Sequence, residues 1–303
     1  MFDVIIVGGG FAGLSAALPL ARARRRILLV DAGLPRNRFA HQAHGFLGHD
    51  GRAPQAIRAD GRDQLATYPT VSFADGEAVA AERAGEGFLV GIEGPTGRRQ
   101  ERARRLVLAT GVRDELPPLP GLWERWGATV IHCPYCHGYE LAGNTLGVLG
   151  GDAMAAHKAA LVRDWGPTIL FTQGGPGPEP EAAELLASRG VAVEHTPVAQ
   201  LLGEAPALAG VRLADGREIA LGGLFVAPRT QPASPLAAQL GCVLDEGMFG
   251  PHVRVDELKQ TTVPGVFAAG DVAMAMHSAP LAAAAGMLAG VAAHRSLVFP
   301  AGA

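Results

Sequence analysis

The sequence predicts an α/β protein made of two dinucleotide-binding folds, with the second inserted into the first. Residues 2–33 contain an apolar run, a glycine turn, a helical stretch and a second apolar run, the order of a βαβ unit. The same order returns without a gap in residues 145–175, where Gly150 matches Gly8. Near the C-terminus, residues 265–271 form another apolar run that can rejoin the first sheet. A chain of 303 residues is long enough to give each fold its own core.

Composition and charge argue against several classes of partner. The formal net charge is −3, which does not favour binding to a nucleic acid or to an anionic membrane. Three cysteines, two of them in one C-x-x-C, are too few for a secreted disulfide scaffold and suit an intracellular redox motif. The Ala-rich residues 279–293 number about fifteen, short of the roughly twenty that cross a bilayer, and predict a buried helix. We therefore expect a cytoplasmic protein without a membrane segment.

The first glycine turn has the residues that a pyrophosphate site requires. Gly8, Gly10 and Gly13 form a G-x-G-x-x-G motif between an apolar run and a helical stretch. Gly8 allows the tight turn, Gly10 lets the backbone approach the pyrophosphate, and Gly13 lets the helix pack close to the strand. Asp31 ends the second apolar run and can accept a hydrogen bond from a ribose hydroxyl. The helix N-terminus supplies amide donors for the phosphates.

Two further segments complete this domain. Residues 105–111 form a strand that ends in a small-residue turn at Gly111, and residues 265–271 run into Gly270 and Asp271. An Asp at a strand end, beside a helix N-terminus, can accept from the ribitol of FAD or can simply cap the helix. The predicted cofactor-binding set is therefore Gly8, Gly10, Gly13, Asp31, Gly111, Gly270 and Asp271.

Prolines at positions 117, 118 and 120 mark a linker between the two folds. We predict that residues 1–117 and 245–303 form the FAD-binding domain. Residues 118–244 then form an inserted domain of NAD(P) type, which also carries the C-x-x-C.

The second glycine turn departs from the motif where a nicotinamide cofactor would bind. Two dinucleotide folds in one chain imply a flavoprotein that binds FAD in one and, ordinarily, NAD(P)H in the other. Asp152 replaces the glycine that lies against the pyrophosphate, and its carboxylate should repel phosphates. Gln173 stands at the ribose position, and no arginine pair follows to hold a 2′-phosphate. A divergent but working nicotinamide site stays open as an interpretation. We favour a domain that keeps the fold and has lost tight NAD(P)H binding.

Residues 131–140, IHCPYCHGYE, carry the predicted chemistry. Cys133 and Cys136, three positions apart on a first helical turn, can form an easily reduced disulfide. Pro134 suits the first helical position, and the dipole at a helix N-terminus would lower the pKa of a thiol. A zinc site is the alternative for C-x-x-C, but it needs two more ligands. The sequence contains no second C-x-x-C and no H-x-x-x-H, so we do not predict a metal.

Two neighbouring side chains are candidates for proton transfer. His137 follows Cys136 directly, and Glu140 lies three residues further on, at the neighbouring turn of a helix. A carboxylate beside an imidazole holds its tautomer and raises its basicity. We predict that His137 moves the thiol proton and that Glu140 orients it, exposed surface positions being the alternative for both. Cys242, within an apolar stretch, is predicted to be a core cysteine.

With the FAD fingerprint, the ATG turn, the inserted second fold, its C-x-x-C and the string GVFAAGD, the whole chain resembles the low-molecular-weight thioredoxin reductases. The resemblance implies two Rossmann-like FAD/NAD(P)-binding domains of the three-layer ββα type, in a homodimer. It also implies that Gly8, Gly10, Gly13, Asp31 and Asp271 contact FAD. Cys136 would face the flavin C4a, and Cys133 would exchange with an external dithiol or disulfide.

The chain departs from those reductases in ways that change the expected electron flow. They carry Asp directly after the second cysteine, where this chain has His137, and they have an intact G-G-G-D-S-A turn and an H-R-R-x-x-x-R phosphate clamp. This chain has GGDAMA and TQGGPG at those places. The strings CPYCHGYE and HGFLGHDG are more similar to the dithiol oxidases of gliotoxin and holomycin biosynthesis and to their bacterial relatives. That resemblance implies a flavin that takes electrons from a dithiol and passes them to oxygen without a nicotinamide.

We therefore predict an FAD-dependent thiol–disulfide oxidoreductase that acts on a small dithiol or disulfide, or on a thioredoxin-like protein, without NADPH. The first alternative is a thioredoxin-disulfide reductase fed by NAD(P)H, or by ferredoxin or a flavodoxin. The second is a non-catalytic flavin redox sensor.

Overall fold

The structure is a computed structural model and describes residues 1–299. Its elements follow in chain order. The strands are β1 Phe2–Val7, β2 Ile27–Asp31, β3 Val71–Asp75, β4 Glu77–Ala84, β5 Gly87–Gly94, β6 Gly97–Leu108, β7 Val112–Glu115, β8 Val130–Ile131, β9 Leu146–Leu149, β10 Thr168–Phe171, β11 Ala192–Glu194, β12 Val198–Leu202, β13 Gly210–Leu213, β14 Glu218–Ala220, β15 Gly223–Val226, β16 Arg229–Pro232, β17 Leu244–Gly247, β18 Gly250–Val253 and β19 Val266–Ala268. The α-helices are α1 Phe11–Arg22, α2 Pro54–Ala66, α3 Pro134–His137, α4 Ala153–Val162, α5 Pro180–Ser188, α6 Leu236–Gln239 and α7 Ala279–Val298. Short 3₁₀ helices span Arg36–Phe39, Trp123–Arg125 and Asp271–Ala273.

The chain divides into two compact units. Unit 1 contains Met1–Arg38, Phe46–Asp114 and Thr230–Ala303, and unit 2 contains Phe39–Gly45 and Glu115–Arg229. The last four residues of the predicted FAD-binding domain, 300–303, lie outside the described residues.

Unit 1 is built on a seven-stranded sheet in the order β3-β2-β1-β6-β5-β4, with β19 also paired to β6. Strands β1, β2, β3, β6 and β19 are parallel, whereas β4 and β5 pair antiparallel. Val4 and Ile6 pack on the side of α1 and α7, while Ile5 and Val7 pack on the side of β4 and β5. Because both faces of β1 are buried, its sequence is a continuous apolar run rather than an alternating one.

Helix α7 packs directly on α1 through two glycines. A Cβ added to Gly286 would lie 2.0 Å from the carbonyl oxygen of Ala12, and one added to Gly290 would lie 2.2 Å from that of Ala16. Any larger residue would push the helices apart. The helix has 20 residues, longer than the stretch expected from the sequence, and is the described helix long and apolar enough to cross a membrane. Its buried face lies in the core of unit 1.

Unit 2 repeats the plan with a five-stranded parallel sheet in the order β11-β10-β9-β15-β8 and an antiparallel meander of β12, β13 and β14. Val148 and Leu170 pack with the residues of α4, while Leu149 and Phe171 pack with the meander. The predicted fold class, two Rossmann-like three-layer domains with the second inserted in the first, is confirmed.

The switch to unit 2 at Glu115 lies within three residues of the predicted one, and the unit boundaries differ more widely at two other places. The chain returns to unit 1 at Thr230 rather than near residue 245, because Leu236, Ala237 and Cys242 pack into the core beneath β4 and β5. Residues 39–45 also group with unit 2, although the chain on either side of them belongs to unit 1.

Candidate functional site

The first glycine turn, between β1 and α1, requires glycine for packing at two positions. Gly8 has φ +107°, and an added Cβ there would lie 2.2 Å from the carbonyl oxygen of Ala109. An added Cβ at Gly13 would lie 1.8 Å from the carbonyl oxygen of Gly8. The space around Gly10, in contrast, is open within 4 Å. The turn is therefore packed tightly on its inner side and accessible on the side where a pyrophosphate would approach.

The N-terminus of α1 has amide groups available for an anion. Its N-cap is Gly10, and no side chain caps the first turn. The first N–H groups of a helix have no partner within the helix and favour negative charge. The open cradle at Gly10 and these amides fit the pyrophosphate of FAD.

Asp31 has a partner that the sequence did not indicate. One of its carboxylate oxygens accepts a hydrogen bond of 2.7 Å from Arg58 of α2, and the Arg58 Nε donates to the carbonyl of Gly9 at 3.0 Å. These residues line a cavity of about 170 Å³ beside the turn. Asp31 is thus placed at the predicted ribose end, with Arg58 as an added cation on the cavity wall.

Asp271 also lies beside a guanidinium group. It accepts from Arg36 at 3.2 Å, and Arg36 forms a bidentate ion pair with Asp114 and contacts Nδ1 of His277 at 2.9 Å. Burial opposes the charge of Arg36, but the hydrogen bonds and charges of Asp114 and then Asp271 raise its pKa. Burial lowers the pKa of His277.

The glycines at this end of the sheet adopt backbone conformations that favour glycine. Gly111 has φ +68° and Gly270 has φ +77°. An added Cβ at Gly270 would lie 2.8 Å from the Cβ of Ala12 on α1. Because β1, β6 and β19 are parallel, the turns at Gly111 and Gly270 lie at the same end of the sheet as the first glycine turn.

In unit 2, Cys133 and Cys136 form a disulfide with a Cα–Cα distance of 5.3 Å. Strand β8 ends at Ile131, and α3 begins at Pro134, which occupies the first turn as predicted. Helix α3 has only four residues, so the dipole at its N-terminus is weaker than the sequence pattern predicts. Both cysteines are half-buried, and Tyr135 between them is 70% exposed. An external thiol can therefore reach the exposed side of this segment.

His137 is a half-buried imidazole with an unused polar atom. Its Nε2 is buried and has no hydrogen-bond partner among residues 1–299. Burial lowers the pKa of His137 from 6.5, with the charge of Glu140 opposing the shift and that of His44 adding to it. A neutral imidazole next to Cys136 can accept a proton.

Glu140 does not orient His137 in the way that the spacing predicts. Because α3 ends at His137, Glu140 lies beyond the helix, and its Oε1 is 3.3 Å from Nε2 of His44. The His44 and His137 rings stand edge to face with centroids 6.3 Å apart. His44 belongs to residues 39–45 and was not identified from the sequence, although it begins the string HGFLGHDG.

At the second glycine turn, side chains of unit 2 already accept hydrogen bonds from backbone amides. Asp152 is the N-cap of α4 and accepts from the amide of Ala155 at 2.8 Å. The side-chain oxygen of Gln173 accepts from the amide of Val198 at 2.7 Å. Gly150 keeps the turn geometry, with φ +146°.

Lys158 of α4 is a further residue of unit 2 that no sequence pattern indicates. It is 7% exposed, and its amine donates to the carbonyls of His132, at 2.8 Å, and Val226, at 2.7 Å. Burial lowers its pKa from 10.5 to about 8, although the charge of Asp152 opposes the shift. Cys242, as predicted, is a core residue, and burial raises the pKa of its thiol.

The sequence profile of the pyridine nucleotide-disulphide oxidoreductase family matches residues 2–286. The chain belongs to this family. Within it, thioredoxin reductase tcpT of Claviceps purpurea is 33% identical over 95% of this chain and 92% of its own length. A solved structure described as an oxidoreductase from Agrobacterium tumefaciens is 50% identical, with a TM-score of 0.93 and 99% of each chain covered. The crystal structure of HlmI is 40% identical, with a TM-score of 0.90, covering 98% of this chain and 92% of the other.

These matches confirm the resemblance to thioredoxin reductases and the assignment as an oxidoreductase. The pyridine nucleotide-disulphide oxidoreductases of this type depend on FAD. The open turn of unit 1 fits that cofactor. The contacts of Gly8, Gly10, Gly13, Asp31, Gly111, Gly270 and Asp271 with FAD stay a prediction.

Proposed function

We propose that this chain is an FAD-dependent dithiol oxidase, in which the Cys133–Cys136 disulfide takes electrons from a dithiol and no nicotinamide cofactor takes part. The observation that carries this proposal is the contrast between the two helix N-termini. The N-terminus of α1 has no side-chain cap, whereas Asp152 occupies that of α4.

The carboxylate of Asp152 competes with any dinucleotide for the same amides. It accepts from Ala155 where a pyrophosphate oxygen would otherwise bind, and its charge repels phosphate. Gln173, at the position of the ribose contact, already accepts from a backbone amide. Both features support a second domain that keeps the fold without tight NAD(P)H binding.

Cys133, Cys136 and His137 supply the groups that a thiol–disulfide exchange needs. A substrate thiolate attacks the Cys133 sulfur, a mixed disulfide forms, and the Cys136 sulfur leaves as a thiolate. The second substrate thiol loses its proton to the half-buried imidazole of His137, which burial keeps neutral by lowering its pKa. Its sulfur then attacks the mixed disulfide and releases the substrate as a disulfide, leaving the cysteine pair reduced by two electrons.

FAD, when bound, supplies the two-electron acceptor that reoxidises the cysteine pair and delivers the electrons to oxygen, giving peroxide. The chain binds the cofactor through the open turn at Gly10 and the uncapped first turn of α1. The exposed side of the C-x-x-C segment selects the dithiol substrate. Tyr135 and Tyr139 lie there and are 70% and 83% exposed.

The test is anaerobic stopped-flow mixing of the oxidised holoenzyme with dithiothreitol, NADPH or NADH, following the visible absorbance of the flavin. We expect dithiothreitol to bleach the flavin and NADPH at micromolar concentration to leave it oxidised. Readmitted oxygen should restore the absorbance with one peroxide formed for each dithiol consumed. Fast bleaching by NADPH would contradict the absence of a nicotinamide step and leave the cysteine chemistry standing.

Cysteine variants separate the two parts of the proposal. Cys136→Ser should retain FAD and lose bleaching by dithiothreitol, whereas Cys242→Ser, the matched control in the core of unit 1, should keep it. Full activity in both Cys133→Ser and Cys136→Ser would show that the mechanism is wrong.

A further inference from the structure

Residues 39–45 belong to unit 2, and the first of them, Phe39, packs on an aromatic residue of that unit. The Phe39 ring packs edge to face on Trp123, with centroids 5.4 Å apart. Gly127, at φ +81°, lies so close that an added Cβ would be 2.7 Å from the Cβ of Phe39. These contacts fix the start of a seven-residue segment whose other end carries His44.

His44 and His137 both lie near the carboxylate of Glu140. His44 Nε2 is 3.3 Å from Glu140 Oε1, and the two imidazole rings have centroids 6.3 Å apart. The side chain of His44 is 17% exposed and that of Glu140 is 39% exposed, so water screens the contact only in part. Three titratable groups from two separate stretches of the chain thus meet beside the C-x-x-C segment.

We propose that His44 is a positioning residue for His137, which it serves by competing for the charge of Glu140. This inference rests on the proposed function, in which His137 accepts the thiol proton. When His44 holds Glu140, the imidazole of His137 stays neutral and can accept that proton. Once His137 is protonated, Glu140 stabilises the new cation.

The groups around His137 leave Glu140 and His44 as the two whose charges act on it. His132 precedes Cys133, Tyr135 lies between the two cysteines, and Tyr139 follows α3. Lys158 donates from α4 to the His132 carbonyl. The shift in the pKa of His137 comes from burial, from Glu140, which raises it, and from His44, which lowers it. The two members of one contact therefore act on His137 with opposite sign.

Because His44 and Glu140 act on the pKa of His137 with opposite sign, their removal should shift that pKa in opposite directions. A purely structural role of His44 would not produce this result. We would titrate the ring signals of His137 by NMR in the oxidised holoenzyme, labelled at histidine, and compare three variants. His44→Gln should raise the pKa of His137, and Glu140→Gln should lower it. For the two imidazoles, whose centroids are 6.3 Å apart, the expected shift is about 0.5 pH unit with water-like screening and about 2 units at the screening typical of a protein surface. His41→Gln, an exposed neighbour on the same segment, should leave it unchanged.

Shifts of the same sign in both variants would overturn the proposal, because loosened packing moves the pKa of His137 in one direction only. No shift in His44→Gln would overturn it as well. The rate of flavin bleaching by dithiothreitol should show the same opposite displacements of its acid limb. Because the NMR titration uses no substrate, it is independent of the oxidase test. If the NMR shifts are opposite but dithiothreitol does not bleach the flavin, the result would contradict the proposed function and leave the role of His44 standing.

Discussion

The buried amine of Lys158 allows a prediction of how the stability of unit 2 depends on pH. Its Nζ donates to the carbonyls of His132 and Val226, and the residue is 7% exposed. The substitution Lys158→Met keeps the length of the side chain and removes both its charge and its donors. Comparing the two proteins across pH isolates the titration of this one group.

The sign and the size of the effect follow from burial. The folded pKa is about 8 and the ordinary value is 10.5, so between these values the unfolded chain binds more protons. Stability therefore rises with pH in that window and is lowest below pH 8, where a charged ammonium is buried. The neutral amine keeps its two donors, so no hydrogen bond is lost as the charge disappears. The shift corresponds to about 3.4 kcal/mol in full, of which about 2.5 kcal/mol falls between pH 7 and pH 10.

Urea unfolding followed by tryptophan fluorescence measures the difference in unfolding free energy between the two proteins, and its signal comes from unit 2, which contains Lys158. The three tryptophans of the chain, Trp123, Trp126 and Trp165, all lie in unit 2. We expect the free energy of unfolding of the wild type, minus that of Lys158→Met, to increase by about 2.5 kcal/mol from pH 7 to pH 10. Other groups titrate alike in both proteins and cancel. A difference that stays flat, or that falls with rising pH, would refute the assignment of a buried, easily deprotonated amine.

Three further predictions concern the packing of α7 on α1 in unit 1, the N-cap of α4 and the buried Arg125 of unit 2. Gly286→Ala should destabilise unit 1 by roughly 1–3 kcal/mol and reduce FAD retention on gel filtration, because its Cβ would overlap the Ala12 carbonyl; the exposed Met287→Ala is the control. Asp152→Ala should lower the stability of unit 2 by about 1 kcal/mol, and Asp152→Asn by less, since Asn can also cap; equal losses in thermal melts would contradict the cap. Arg125→Met, which leaves three backbone carbonyls without their donor, should cost about 3 kcal/mol or more in urea unfolding; a cost below 1 kcal/mol would contradict that role.

Local patterns were sufficient to predict the fold and the pairing of the two cysteines. The two βαβ units, the insertion of one domain in the other and the position of Cys133 and Cys136 all follow from short stretches of sequence with strict geometric needs. Glycine turns in particular are determined locally, since the contact that forbids a side chain at Gly13 comes from Gly8, five residues away. The domain return at Thr230 was missed because the packing of α6 under β4 leaves no local pattern.

The partners of the charged site residues could not be predicted in the same way. Arg58 reaches Asp31 from 27 positions away, and Glu140 meets His44 across the insertion point. Such pairs depend on where loops are placed by tertiary packing, which neither helical period nor turn composition records. Glu140 was placed one turn after His137 on the assumption that α3 continues, but the helix ends at His137, three residues before Glu140.

The second glycine turn favours the loss of nicotinamide binding on energetic as well as steric grounds. A cap such as that of Asp152 contributes about 1 kcal/mol, so a dinucleotide that displaces it binds roughly fivefold more weakly before charge is considered. The displaced carboxylate would then lie beside a pyrophosphate and repel it. Lys158 is a cation on which the charge of Asp152 acts, but its amine is already held by two carbonyls. At the ribose end, Gln173 would have to give up the amide of Val198. Asp152 and Gln173, which stand where a cofactor would bind, both complete the internal hydrogen bonding of unit 2. Under the proposed function, tight NAD(P)H binding would therefore require changes at both ends of the turn and not at Asp152 alone.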